Sequence, residues 1–203
     1  MSEEYWKINN RTDAIPDGFK NTIRWLDREL PLEQPLGSIL EAGCGSATYT
    51  PHLARRTGHL RSCDHSATQI ATNCSLYSDA NFFVQNLGKP IAAEAKSFDA
   101  VWCAQTLDQL RNPGVALNEF YRVLKPGGKL LIAVPYHGFP ENLLTALFHW
   151  DTHFAADNPH IRFFSVKMLS ELVKRTGFRK IETETCTGNR SLTRRLILLS
   201  AKK

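Results

Sequence analysis

The chain has 203 residues, 42% of them apolar, and a formal net charge of +5, enough for one well-packed domain and short for two. No run of about 18 apolar residues occurs, and the opening MSEEYWKINN is polar with two acids, so neither a membrane span nor a secretory signal is expected. The five cysteines, Cys44, Cys63, Cys74, Cys103 and Cys186, are odd in number, scattered and without a Cys-x-x-Cys spacing. That argues against a disulfide framework and a zinc site and for reduced thiols in a cytoplasmic protein.

Taken in order, residues 17–30 repeat apolar positions at Phe19, Ile23, Trp25, Leu26 and Leu30 at close to helical spacing, and Pro31 ends the pattern. Residues 1–36 thus read as an N-terminal helical segment. From there the pattern alternates. Short apolar runs at 38–42, 59–63, 81–84, 98–103 and 129–134 are separated by helical periods at 49–56, 67–75 and 115–124. Lys125-Pro126-Gly127-Gly128 should end the last of these helices and turn the chain into the next strand. Two later strands, 178–186 and 192–200, have no helix between them and should pair as an antiparallel hairpin. The expectation is one α/β domain over residues 1–203: a doubly wound, mostly parallel seven-stranded sheet with helices on both faces and the hairpin at its edge.

The most informative stretch is residues 38–50, SILEAGCGSATYT. An apolar strand ends in an acid, Gly-x-Gly follows, and a helical pattern begins. Gly43 and Gly45 permit a sharp turn and the close approach of a ligand to the backbone. Glu41 would repel a phosphate, and no Lys-Ser/Thr pair follows as a triphosphate loop requires. A carboxylate there suits an amine or a hydroxyl. About 20 residues on, Asp64 ends the next strand, where a doubly wound fold places an acid that accepts from a ribose. In such sheets ligands lie beyond the carboxyl ends of the strands, which here are residues 41–45, 64–65, 85–87, 103–107 and 135–138.

The runs ILEAGCGSATYTPHLARR, LRSCDHSATQI and SFDAVWCAQTLDQLRNPGVALNEFYRVLKPGGKLLIAVP resemble the class I S-adenosylmethionine-dependent methyltransferases. The likeness is to the small-molecule branch that includes the quinone-biosynthesis enzymes. It is strong over residues 37–135, and residues 160–182 resemble that branch's closing helix and strand. It implies S-adenosylmethionine as cofactor, with Glu41, Gly43, Cys44 and Gly45 around the methionine portion and Asp64 with His65 at the ribose. Asn86 would accept from the adenine amino group, and Leu87, Cys103 and Leu107 would line the adenine pocket. Two positions depart from the family pattern: Ala47 stands where a third glycine is usual, and Asn86 where an acid is. In the family the N-terminal segment often covers the cofactor crevice, which makes Tyr5 and Trp6 candidates for an aromatic lid, and residues 136–164 would cap the acceptor.

Methyl transfer from a sulfonium is an in-line displacement that mainly requires alignment of the reactants. A base is needed where the acceptor must lose a proton, and histidine suits that near neutrality. His137, His153 and His160 are the candidates. Large side chains in 136–164, among them Tyr136, Phe139, Leu143, Leu147, Phe148 and Trp150, suit an apolar or aromatic small-molecule acceptor, with O-methylation favoured; the same residues could also simply pack a helix onto the sheet. His149-Trp-Asp-Thr-His153 puts two histidines on one helical face but lacks a third ligand, so no metal is expected.

Two rival functions stand beside this reading. A nucleic-acid methyltransferase could use the basic residues of 161–203, which carry eleven Lys/Arg against three Glu. However, Cys103-Ala104-Gln105-Thr106 matches neither the Asn/Asp-Pro-Pro-Tyr nor the Pro-Cys signature of base methylation, so nucleic acid is not expected as a partner. A non-catalytic methyltransferase-like scaffold is the other rival, and intact Glu41, Gly43, Gly45 and Asp64 argue against it.

Overall fold

The computed structural model describes residues 18–77, 80–137, 142–143, 147–148, 161–187 and 195–203. Its elements are α1 (Phe19–Glu29), β1 (Leu36–Ala42), α2 (Thr50–Ala54), β2 (Thr57–Asp64), α3 (Ala67–Leu76), β3 (Asn81–Val84) and β4 (Phe98–Ala104). A single 3₁₀ turn (Leu107–Gln109) follows, then α4 (Pro113–Val123), β5 (Leu124–Pro135), α5 (Val166–Arg175), β6 (Arg179–Thr187) and β7 (Arg195–Lys202). The seven strands form one sheet in the order β3-β2-β1-β4-β5-β7-β6. The first five are parallel, and β7 runs antiparallel between β5 and β6.

Strand residues alternate between the two faces, and each face is buried under its own helices. Leu40, Val101, Leu130 and Ile132 pack with Leu117 and Phe120 of α4 and Leu169 and Val173 of α5. Ile39, Trp102, Leu131 and Ala133 pack with Trp25 and Leu26 of α1 and Leu53 of α2. The described part of the N-terminal segment is therefore a sheet-covering helix; Tyr5 and Trp6 lie outside the described residues. Arg56, 2% exposed, closes this layer. Its Nε donates to Leu30 O at 3.0 Å, and its guanidinium also reaches His52 O and the Asp27 carboxylate, so one cation satisfies carbonyls at the ends of α1 and α2.

One local expectation is corrected. Lys125-Pro126-Gly127-Gly128 does not separate helix from strand, because β5 already begins at Leu124. Leu124 pairs with Phe98 and Lys129 with Ala100, so residues 125–128 bulge opposite Asp99 alone. Gly127, at φ 77°, makes this bend. The first parallel ladder contact thus forms before the loop, where a turn residue pattern by itself points to a break.

Beyond the end of β5 the chain leaves for residues 138–160 and returns to the same edge. Tyr136 bridges Phe164 in parallel, and the His137 N–H donates to Phe164 O at 2.9 Å. Ile161 and Arg162 both donate their N–H groups to Asp108 O, at 3.0 and 2.8 Å.

Candidate active site

The Gly-x-Gly turn sits at the carboxyl end of β1, stapled to β2 by the Gly43 and Cys44 N–H groups, which both donate to Cys63 O at 2.8 and 2.9 Å. Gly43 has φ 82° and Gly45 φ 49°. A Cβ on Gly43 would lie 2.2 Å from Thr106 Oγ1 and 2.5 Å from its Cγ2. The glycine is therefore fixed by two independent demands, the left-handed backbone and the side chain packed against it. Two non-glycine residues are also left-handed here: Ala47 (φ 60°) in the turn and Gln105 (φ 49°) at the end of β4. Gln105 is held from both sides, its N–H donating to Ala133 O at 2.7 Å and its carbonyl accepting from Gln109 Nε2 at 2.8 Å. Such strained backbone concentrates where a site must hold a shape.

Glu41 lies beneath the turn, 1% exposed. Its Oε2 accepts from Thr50 Oγ1 at 2.6 Å and Ser62 Oγ at 2.7 Å. Burial pushes its carboxyl up to about 7, against the opposing pull of those two hydroxyls, and the neighbouring Asp64 charge adds to the rise. Asp64, also buried, accepts from the Gly45 N–H at 3.1 Å through Oδ2 and from the Ser66 N–H at 3.0 Å through Oδ1, with His65 Nδ1 3.0 Å from the latter oxygen. A carboxylate offers about four acceptor positions, so Asp64 keeps capacity for a hydroxyl. Among the described residues no lysine or arginine forms an ion pair with either acid.

The remaining positions separate into crevice and core. Asn86 is exposed, and its Oδ1 accepts from the Gly88 N–H at 2.8 Å, closing a tight turn after β3. Leu87 is buried at that turn, while Cys103 and Leu107 are wholly inside the core on the α4 and α5 face and present no surface in the crevice. Burial pushes the Cys63 thiol up to about 12 and raises those of Cys44 and Cys103 as well, which keeps all three as thiols and removes Cys103 as a nucleophile. His137 is half-buried just past β5, its ring edge-on to Phe163 with centroids 4.7 Å apart. His153 and His160 lie outside the described residues.

Several residues of the site escaped sequence reasoning. Thr106, Thr50 and Ser62 are ordinary polar residues whose partners are distant in the chain. Gln69 and Asn73 had a signal: Ser66-x-x-Gln69 is the spacing of a helix capping box, and Asn73 falls one turn later on the same side of α3.

These residues suit the cofactor that the sequence resemblance implies. Gly43 admits no side chain beside Thr106, Asp64 has acceptor positions left over for a hydroxyl, and neither Asp64 nor Glu41 pairs with a lysine or arginine among the described residues. Residues 40–132 match a family model described as a methyltransferase domain. Among curated relatives, the ubiquinone biosynthesis O-methyltransferase of Xanthomonas axonopodis pv. citri is 30% identical over 105 residues, 49% of this chain and 44% of that protein. That of Pseudomonas entomophila is 22% identical over 139 residues, 66% and 58% of the two chains. The chain thus spans about half the length of these relatives. Among solved structures, Haemonchus contortus phosphoethanolamine N-methyltransferase 2, in complex with S-adenosyl-L-methionine, superposes with TM-score 0.75 at 16% identity, over 99% of this chain and 56% of that one. The [4+2]-cyclase SpnF superposes with TM-score 0.71 at 18% identity, over 94% and 84%. Residues 40–132 thus carry the likeness to a methyltransferase domain, on a fold that the chain shares with solved methyltransferases and with a cyclase.

Proposed function

We propose that this chain transfers a methyl group from S-adenosylmethionine to a small apolar or aromatic acceptor, with oxygen the favoured nucleophile. The observation that carries the reading is the joint placement of Gly43 against Thr106 and of Asp64 against the Gly45 N–H. Together they shape a turn that a ligand can approach closely beside a carboxylate with acceptor capacity. S-adenosylmethionine supplies an activated methyl on a sulfonium. The chain's part is to hold it: Asp64 for the ribose hydroxyls, and the turn over buried Glu41 for the methionine portion. His137, with His153 and His160, is the set from which a base would come where the acceptor is a hydroxyl. The names of the curated relatives support an oxygen acceptor. Because the cyclase shares the fold, methyl transfer has to be tested as chemistry.

The experiment has two arms. Calorimetry should show a 1:1 complex with S-adenosylmethionine and with S-adenosylhomocysteine; no heat and no thermal stabilisation at saturating ligand sinks the reading. Incubation with a panel of phenols, aliphatic alcohols, amines and short RNA should then give a mass gain of one methyl on a hydroxyl compound. Gain on RNA alone overturns the small-molecule acceptor. A rate that rises with pH through about 6.5 and is flattened by His137→Ala identifies His137 as the base.

A further inference from the structure

Five hydrogen bonds around the turn close on themselves. The Gly45 N–H donates to Asp64 Oδ2 at 3.1 Å, and Gly45 O accepts from Asn73 Nδ2 at 2.8 Å. Asn73 Oδ1 accepts from Gln69 Nε2 at 3.0 Å, and Ser66 Oγ accepts from the Gln69 N–H at 3.2 Å. The Ser66 N–H returns to Asp64 Oδ1 at 3.0 Å. The circuit joins the β1 turn, the end of β2 and the first two turns of α3. Ser66, Gln69 and Asn73 are all buried.

The direction of each bond is forced. Gly45 O can only accept, so Asn73 must turn its amide nitrogen toward it, where that nitrogen also lies 3.6 Å from Cys44 Sγ. Asn73 Oδ1 then faces Gln69, which must present its own nitrogen. In an ordinary capping box the Gln69 side chain would reach back to the Ser66 N–H. Here Asp64 has taken that donor, which releases Gln69 to orient Asn73. Buried polar groups set in a closed circuit hold one geometry, because each alternative leaves a donor or acceptor unpaired away from water.

We propose that Asn73 and Gln69 are positioning residues for cofactor binding: through this ring they set the Gly45 peptide and the rotamer of Asp64. The inference rests on the cofactor reading given above. Neither side chain need touch the ligand. Asn73 acts on Gly45 directly, and Gln69 acts through Asn73.

The test measures affinity for S-adenosylmethionine and S-adenosylhomocysteine by calorimetry, at a temperature well below each variant's melting point and with circular dichroism confirming the fold. Asn73→Leu should weaken both ligands about ten-fold or more, the loss expected when a buried hydrogen bond that sets a binding group is removed. Gln69→Glu keeps shape but reverses polarity, since a carboxylate demands the Asn73 nitrogen and turns its oxygen toward Gly45 O; it should weaken binding comparably. In an Asn73→Ala background Gln69→Glu should add less than about two-fold, because its route is gone. Thr72→Ala, on the same helix with its hydroxyl bonded to Thr68 O, should leave affinity unchanged. Melting points that fall while the affinities of the folded variants match the unaltered chain overturn the proposal and leave the ring a packing feature. Full additivity of the two substitutions overturns the relay through Asn73. If Asn73→Leu does not fold, Gln69→Glu and Asn73→Asp carry the same decision. Absence of binding by the unaltered chain is a different result, for it overturns the cofactor reading itself.

Discussion

The two edges of the sheet treat their acids in opposite ways. At the amino edge, Asp99 meets Lys125 Nζ at 2.8 Å and Glu29 meets Lys129 Nζ at 3.2 Å, in partly exposed pairs. Burial alone would push Asp99 up, but Lys125 and Ser38 hold it below the ordinary carboxylate range. At the carboxyl edge, Glu41 and Asp64 are buried and met by hydroxyls, N–H groups and a neighbouring histidine. Structural acids are neutralised where they stand. The acids at the carboxyl edge are instead fixed in place by hydroxyls and N–H groups, and burial raises the Glu41 carboxyl to about 7.

The largest effect that could break this contrast is at the turn itself. Gly43→Ala combines a left-handed backbone with a clash against Thr106. It should cost about 3 kcal/mol of stability and abolish cofactor binding, read by denaturant unfolding and calorimetry. Adding Thr106→Ala should restore part of the stability; no recovery would mean that Thr106 is not the obstacle. Next, Asp64→Ala should weaken S-adenosylmethionine by about 2 kcal/mol, or roughly 30-fold, and unchanged affinity would place the ribose elsewhere.

A smaller effect is linked to protons. Glu41 is raised from 4.5 to about 7 in the native chain, so its contribution to stability is complete below the unfolded value and is lost as pH rises through 7. Glu41→Gln should flatten that decline in unfolding free energy. A cationic ligand favours the ionised carboxylate, so affinity for S-adenosylmethionine should rise several-fold from about pH 6 to about pH 8 relative to S-adenosylhomocysteine, whose sulfur is neutral. The two share an amino-acid portion, so its titration cancels in the ratio. A pH-independent ratio would show that Glu41 does not sense the sulfonium. The smallest effect belongs to the amino edge: Lys125→Ala should cost less than about 1 kcal/mol and leave cofactor affinity untouched. A change in affinity there would end the contrast between the edges.

Much of this was legible in the residues. The seven strands follow from apolar runs whose alternate residues face two helical layers, and the position of Asp64 follows from the end of its strand. The strand that begins at Leu124 was not legible, because Pro126 and Gly127 carry a turn's chemistry and only the pairing with Phe98 makes them a bulge. Nor was the state of Glu41. Its acid character pointed to a direct ligand contact, whereas Thr50 and Ser62 hold its Oε2 beneath the turn from positions that no local spacing relates to it. Leu107 and Cys103 show the same limit from the other side. Being at or just past a strand's carboxyl end puts a residue near the crevice, but the alternation of faces sends the Cys103 side chain into the core, and Leu107, in the 3₁₀ turn, is buried there as well.

The tie at the base of the excursion after β5 has a consequence for how such a protein can change over generations. Asp108 O and Phe164 O hold both ends of that excursion through main-chain bonds, which no side-chain change short of a proline at 137, 161 or 162 removes. With the ends fixed, lengthening the connection costs little, about 0.6 kcal/mol for each doubling. Descendants of this chain can therefore lengthen, shorten and re-letter this connection by insertion, while the turn and its ring, built from residues that each answer to several others, inherit almost unaltered.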